Sequence, residues 1–175
     1  KLLEQKNQTT IPFYTYVCTT APLNIELKQL LPQDHPVYDT QFQIDYYRGV
    51  SNNRLLFGGQ GTGTCWNAEK TAQYLKGRIL HVFPQLEQVE LDFVWSGTTD
   101  LTVNGATDSR KSGDKFPVYA VHGWSGHGVA QTVRIGKAIA DDFCGQSDDF
   151  EMLTQIQHQD ILWGRALAPL VIPMA

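Results

Sequence analysis

Along the chain the spacing of apolar residues switches between strand and helix periods several times. Residues Ile11–Thr19, Ile-Pro-Phe-Tyr-Thr-Tyr-Val-Cys-Thr, are aromatic and β-branched and predict a strand. Pro22 and the stretch Leu23–Leu31 leave room for one helical turn before Pro32 and Pro36 interrupt it. Gln41–Gly49 alternates as a second strand, Ser51-Asn52-Asn53 has turn chemistry, and Arg54–Gly58 returns as a third, so these two strands form a hairpin. Asn67 is placed to cap a helix that runs to about Phe83, where Pro84 ends it. Ala72, Leu75, Ile79 and Phe83 recur at helical spacing and predict its buried face.

Further on, Val89–Trp95 and Pro117–Val121 read as strands. Val129–Phe143 returns to helical spacing, with Val129, Val133, Gly136, Ala140 and Phe143 on one side. Phe150, Leu153 and Ile156 predict a last short helix, and the Pro-containing tail after Trp163 reads as irregular. Strands and helices do not alternate strictly, and no internal repeat is visible. The expected fold class is therefore α+β, an antiparallel sheet with flanking helices.

Composition narrows the classes. The 175 residues are enough for one domain, or for one domain plus part of another. A formal net charge of −4 with no basic run argues against a binder that tracks nucleic-acid phosphates. The longest apolar runs, such as Leu167–Met174, are far short of the ~20 residues that span a bilayer. The N-terminal Lys-Leu-Leu-Glu-Gln-Lys-Asn carries no apolar signal-peptide core, so a soluble, cytoplasmic protein is expected, with Lys1 at the edge of an excised piece. Cys18, Cys65 and Cys144 match no zinc spacing and are expected to be buried thiols. The histidines, His35, His81, His122, His127 and His158, form no evident metal set.

The segment most suggestive of chemistry is Val118-Tyr-Ala-Val-His-Gly-Trp-Ser-Gly-His-Gly-Val129, where a strand meets a helix through Gly123, Gly126 and Gly128. Such a loop lets backbone approach a ligand, and the helix start offers unpaired N–H groups with partial positive charge. It would stabilise a phosphate or an anionic ring system, or serve only as a tight turn. Its order is G-x-x-G-x-G, so it is no dinucleotide fingerprint, and around Ser125 the run Gly-Trp-Ser-Gly-His does not complete a hydrolase nucleophile elbow. Two further segments are candidates: the cluster Gly58-Gly59-Gln-Gly61-Thr-Gly63, read as a mobile loop or a flexible exit from the sheet, and Trp95-Ser-Gly-Thr-Thr-Asp100. Tyr46, Tyr47 and Arg48 would alternate between the two faces of one strand, one of them core.

Tyr38-Asp39-Thr40, Asp45-Tyr46-Tyr47-Arg48 with Arg54–Gly59, Trp95-Ser-Gly97 and Gly123–Gly128 occur in an order that resembles the C-terminal half of the FAD-dependent D-amino-acid oxidase superfamily. The likeness covers about Ile11 to Trp163 and is greatest to the bacterial γ-glutamylputrescine oxidase-like branch, beside glycine and sarcosine oxidases. It implies a substrate-binding domain over residues 1–103 and, over 104–175, the strand–loop–helix that returns to the flavin. The Rossmann segment that binds the ADP part of FAD is absent from this stretch, which alone is not expected to hold FAD. The resemblance implies hydride transfer from the carbon beside a substrate nitrogen to flavin, giving an imine, with oxygen as usual acceptor. It places Gly123, Trp124, Ser125, Gly126, His127, Gly128 and Val129 on the flavin side and Tyr46, Tyr47, Arg48 and Trp95 on the substrate side, with no essential side-chain base. The implied partners are a small amine or amino acid and the N-terminal half, whose missing cover would leave a surface prone to self-association.

Three departures bear on the carry-over. Ala130 stands where sarcosine oxidases carry a Lys for the substrate carboxylate, which fits an amine or a longer amide-linked amine. No Lys occurs from Leu55 to Glu69, where the oxygen-activating Lys of those enzymes is found, and no Cys lies between Trp66 and Phe143 to tether a flavin. The alternative class is a non-catalytic binding module that acts with a separate partner chain.

Overall fold

Which elements form depends on where each backbone N–H finds an acceptor. The computed structural model describes residues 9–41, 43–113, 115–161 and 164–172. They divide into two compact units: a sheet unit of Tyr14–Thr98 with Ile172, and a loop–helix unit of residues 9–13 with Thr99–Val171.

The sheet unit takes in most of β1 (Thr10–Thr20), the short α1 (Leu27–Leu30), β2 (Val37–Tyr38), β3 (Tyr46–Val50), β4 (Arg54–Thr62), α2 (Ala68–Val82) and the start of β5 (Leu91–Thr102). The strands order as β2-β3-β4-β1-β5, and the pairs β2–β3, β3–β4 and β4–β1 are antiparallel. This is the α+β architecture expected from the sequence, a five-stranded antiparallel sheet with flanking helices.

The predicted hairpin forms, with Asn52 and Asn53 at φ 61° and 53°, a left-handed turn conformation that Asn tolerates. The Asn53 amide also donates to the carbonyls of Leu23 and Ile25 and accepts the Leu27 N–H, which secures the connection leading into α1. Its first strand, however, starts at Tyr46 and not at Gln41. The Asp39 carboxylate accepts the N–H groups of Gln41 and Asp45, so these donors go to a side chain instead of a ladder. Phe42 lies outside the described residues. The Gly58–Gly63 cluster is likewise no loose exit, because β4 continues through it to Thr62. Register with β1 pairs Tyr16 with Gly59 and Thr15 with Gly61, which leaves Gln60 as an extra, bulged residue at φ 61°.

As expected, the Asn67 side chain caps α2 by accepting the Lys70 N–H at 2.8 Å. Thr71, and not Ala72, is buried above Leu75 and Ile79; its hydroxyl is satisfied by the Asn67 carbonyl at 2.8 Å. These residues pack with Phe83 onto Tyr16, Cys18, Leu55 and Phe57 of the sheet. Tyr16 is the polar hub of this core: its hydroxyl accepts the Trp66 N–H at 2.9 Å, lies 2.7 Å from Thr62 Oγ1 and donates to the Thr64 carbonyl at 3.0 Å. Burial pushes the Cys18 thiol up to about 12, whereas Cys65 and Cys144 are exposed, contrary to the buried thiols expected for all three.

The loop–helix unit pairs β6 (Asp108–Ser112) antiparallel with β7 (Val118–His122), followed by α3 (Gly128–Phe143), α4 (Asp149–Thr154) and α5 (Gly164–Val171). The strand β6 was not legible because Asp-Ser-Arg-Lys-Ser carries no apolar alternation. The tail read as irregular is helical as α5 despite the internal Pro169, and it buries Ala168; Trp163 lies outside the described residues. On α3 the side that spacing picks out is not the side that packs. Ile135, Ala138 and Ile139 pack against Tyr119, Val121, Phe150 and Leu153, while Val129, Val133 and Phe143 are 94%, 77% and 69% exposed. Gly136 and Ala140 on that side are exposed too. Helix α3 thus has two apolar sides, a pattern found where both are covered.

The Tyr16 hub gives a direct test. Tyr16→Phe strands the buried Trp66 N–H and is expected to lower stability by roughly 1–3 kcal/mol. Urea unfolding should show the lower midpoint with an unchanged slope; a midpoint equal to the parent's would contradict the hub role.

Candidate functional site

The loop between β7 and α3 combines left-handed backbone with a concentration of directed N–H groups. Gly123, Ser125 and Gly126 have φ of 74°, 48° and 84°. At Gly123 the need for glycine is double: besides its φ, a Cβ there would collide with Thr102 Cγ2 and crowd Thr10. Asp100, from β5, holds the first half of the loop. Its Oδ2 accepts the Gly123 N–H at 2.7 Å, its Oδ1 the Trp124 N–H at 3.2 Å, and its backbone carbonyl the Ser125 N–H at 2.9 Å. The Ser125 hydroxyl donates to the Gly123 carbonyl at 3.2 Å, and the His127 ring donates through Nδ1 to the Ser125 carbonyl at 3.0 Å. The His127 N–H closes the turn onto the Trp124 carbonyl at 2.9 Å.

The second half is different. The N–H groups of Gly126, Gly128, Val129 and Ala130 have no acceptor among the described residues, and a Cβ at Gly126 would meet nothing within 4 Å. Four donors without acceptors among the described residues therefore gather at the positive end of a 16-residue helix. Trp124 leans inward against the core of its unit, beside Gly128, and Val129 points to solvent. What the loop offers a ligand is backbone more than side chain.

Beside the loop, Asp108 is 3% exposed and pairs in register with His122. It accepts from Thr9 Oγ1 at 2.5 Å and from Arg110 Nε and a terminal guanidinium nitrogen at 2.8 and 2.6 Å, with His122 Nε2 at 3.4 Å. Burial would raise this carboxyl, but the Arg110 and Thr9 hydrogen bonds and the neighbouring His122 and Arg110 charges hold it at about 2.

In the sheet unit, the substrate-side candidates separate by face. Tyr47 stacks on Phe57 with ring centroids 5.5 Å apart and meets Phe83 edge-on at 5.1 Å, on the core side under α2. Tyr46 and Arg48 alternate to the other face. There the Tyr46 ring lies so close over Gly58 that any Cβ at Gly58 would enter it, and burial, then Cys18, raises its phenol. Gly97 of β5 faces Thr15, so by strand alternation the half-exposed Trp95 belongs to this same face. Arg48 is exposed and donates to the Gly49 carbonyl at 3.2 Å. The structure thus groups Tyr46, Arg48 and Trp95 on one face and puts Tyr47 in the core.

Two polar features were missed from the sequence. Asp45, 2% exposed, takes hydrogen bonds from Arg78 Nε at 3.0 Å and from a terminal nitrogen at 2.5 Å, and these bonds raise the Arg78 guanidinium further. Tyr74 donates to Gln60 Oε1 at 2.9 Å, while Gln60 Nε2 and Trp66 Nε1 are buried donors without acceptors among the described residues. The signal available in the sequence was a lone Gln set among glycines, Gly58-Gly59-Gln60-Gly61. Among the described residues no group of His, Cys, Asp and Glu could hold a metal ion, and no helix is long and apolar enough to cross a membrane.

Comparison with known proteins identifies the class. Residues 1–142 match the DAO family, described as FAD dependent oxidoreductase, and the chain belongs to that family. Among its relatives is the gamma-glutamylputrescine oxidoreductase of Escherichia coli (strain K12), 31% identical over 164 residues, an alignment that covers 90% of this chain and 37% of that protein. A probable oxidoreductase OrdL of Haemophilus influenzae is 28% identical and is covered to 37%, with 94% of this chain aligned. The crystal structure of glycine oxidase from Geobacillus kaustophilus shares the fold, with a TM-score of 0.61 at 23% identity over 77% of this chain and 35% of that one. The chain thus spans little more than a third of the length of these relatives.

The family implies FAD in its full-length members, and N–H donors without acceptors among the described residues, two of them on glycines, are groups that suit the electron-rich carbonyl edge of a flavin ring.

Asp108 yields an acid-stability test. Because its folded pKa is depressed, its contribution, on the order of 2 kcal/mol, is full above the usual carboxyl value of 3.8 and is lost as pH falls towards about 2. Denaturant unfolding of the parent should weaken steeply across that interval and that of Asp108→Asn much less. Equal slopes would show that Asp108 carries no such linkage.

Proposed function

We propose that this chain is the substrate-binding part, together with the flavin-contacting strand–loop–helix, of a longer FAD-dependent enzyme that oxidises the C–N bond of an amine or amino acid. The observation that carries this reading is the set of open N–H donors at Gly126, Gly128, Val129 and Ala130. The chain's family membership supports FAD as the ligand of that set. FAD, when bound, supplies the acceptor for the hydride that leaves the carbon beside the substrate nitrogen, and oxygen is the proposed final acceptor.

This chain's residues would do the rest. The loop N–H groups and the α3 N-terminus would stabilise negative charge as it grows at the ring edge during reduction, with no reorganisation because the loop is already shaped. Tyr46, Arg48 and Trp95 would orient the substrate from one sheet face, and Tyr47 would act through packing. With Ala130 offering no cation for an α-carboxylate, an amine with an amide-linked tail suits the site, in keeping with the name of the Escherichia coli relative. In the proposed organisation, residues 1–103 form the substrate domain and 104–175 the flavin-proximal part. The dinucleotide-binding half lies outside this stretch and would cover the open side of α3. That open side equally suits a module that works with a separate partner chain, the second reading.

The test is a visible spectrum of the protein expressed from the longest reading frame that contains these residues. It should be yellow, bleach on addition of a γ-glutamyl amine and regain colour in air. Gly126→Val, which puts a branched side chain on the open backbone at φ 84°, should purify with much less flavin. A colourless parent protein, even with added FAD, would overturn the oxidoreductase reading and leave the module; a fully yellow, fully active Gly126→Val would overturn the placement of the loop.

A further inference from the structure

We infer that Asp100 is a positioning residue that selects which loop N–H groups face the flavin and lowers the flavin's reduction potential; this rests on the proposed function. The N–H groups of Gly123, Trp124 and Ser125 all end on Asp100, two on its carboxylate and one on its carbonyl. A run of N–H groups in left-handed backbone is a natural anion nest, and here the front of that nest is filled by the chain's own carboxylate. Asp100 reaches the loop from β5, some two dozen residues earlier, so the clamp is tertiary and no part of the turn itself. The donors left over are those of Gly126, Gly128, Val129 and Ala130. The ring edge is thereby directed to the helix end of the loop and away from Gly123.

The same carboxylate has an electrostatic consequence. Its carboxylate bonds are with neutral backbone amides, and among the described residues no Lys, Arg or His is paired with it. Its negative charge therefore opposes the charge that builds on a reduced flavin, while the open N–H groups favour that charge. Asp100 thus holds the loop in shape for binding at some expense to the stability of the reduced state. A merely structural clamp would influence retention alone.

The two effects separate in Asp100→Ala and Asp100→Asn, made in the protein from the longest reading frame and compared for FAD dissociation constant and flavin midpoint potential. Asp100→Ala releases both carboxylate bonds and is expected to bind FAD about tenfold more weakly or worse. Asp100→Asn keeps an oxygen for Gly123 but no charge. It should retain flavin better than the Ala variant and show a midpoint raised by about 30 mV, a tenfold shift in the two-electron equilibrium. If Asp100→Ala does not fold, the potential of Asp100→Asn carries the test. A parent that binds FAD beside an Asp100→Asn of unchanged potential would overturn the inference and leave the proposed function standing. A parent that binds no FAD would overturn both.

Discussion

The glycine loop before α3 must satisfy its own backbone without using up the donors it offers. Three residues there adopt left-handed φ, one of them Ser125, a conformation that costs a non-glycine residue about 1 kcal/mol or more. Asp100 offsets this by gathering three consecutive N–H groups, and Ser125 and His127 close the remaining polar contacts within the turn. Close packing of Gly123 on Thr102 and Thr10 fixes the entry, and the buried Asp108 with Arg110, His122 and Thr9 fixes the strand that leads into it. Strain, clamp and floor belong to one unit, so the loop is shaped before any ligand arrives.

Helix α3 reads in two directions. Its Ile135–Ala138–Ile139 side builds the core of its own unit, while the Val129–Val133–Phe143 side is left to solvent. The chain spans little more than a third of the length of its relatives, and that side of α3 is exposed among the described residues. The sheet unit shows the opposite economy. Two of its polar clusters are consumed internally: Tyr16 with Thr62, Thr64 and Trp66, and Asp45 with Arg78. Breaking the latter pair would leave a buried charge without its partner, a change that typically costs about 3–5 kcal/mol.

Local signals were legible wherever a short-range pattern decided the outcome. Asn67 as a cap, Pro84 as a stop, the Asn52-Asn53 turn and the Gly-rich strand-to-helix passage all act within a few residues. Tertiary decisions were not legible. The Asp39 carboxylate diverted the predicted strand at Gln41 into a loop, and polar β6 exists because β7 pairs with it. The Val129 side of α3 was well patterned but is uncovered, since spacing finds an apolar side without naming what lies against it. Of the substrate-side residues, alternation separated Tyr47 from Tyr46 and Arg48, and only the packing of Phe57 and Phe83 assigned Tyr47 to the core. Asp100 was visible as the end of a candidate segment, and its hydrogen bonds to residues more than twenty positions away gave it a role.

The central claim is that a flavin edge sits on the open donors at the start of α3. Residue-resolved amide hydrogen exchange on the longest-frame protein, with and without FAD, tests it most directly. The account expects FAD to slow exchange at Gly126, Gly128, Val129 and Ala130, while Gly123, Trp124 and Ser125, already bonded to Asp100, are protected in both states. Protection by FAD that bypasses residues 126–130 and appears elsewhere would contradict it.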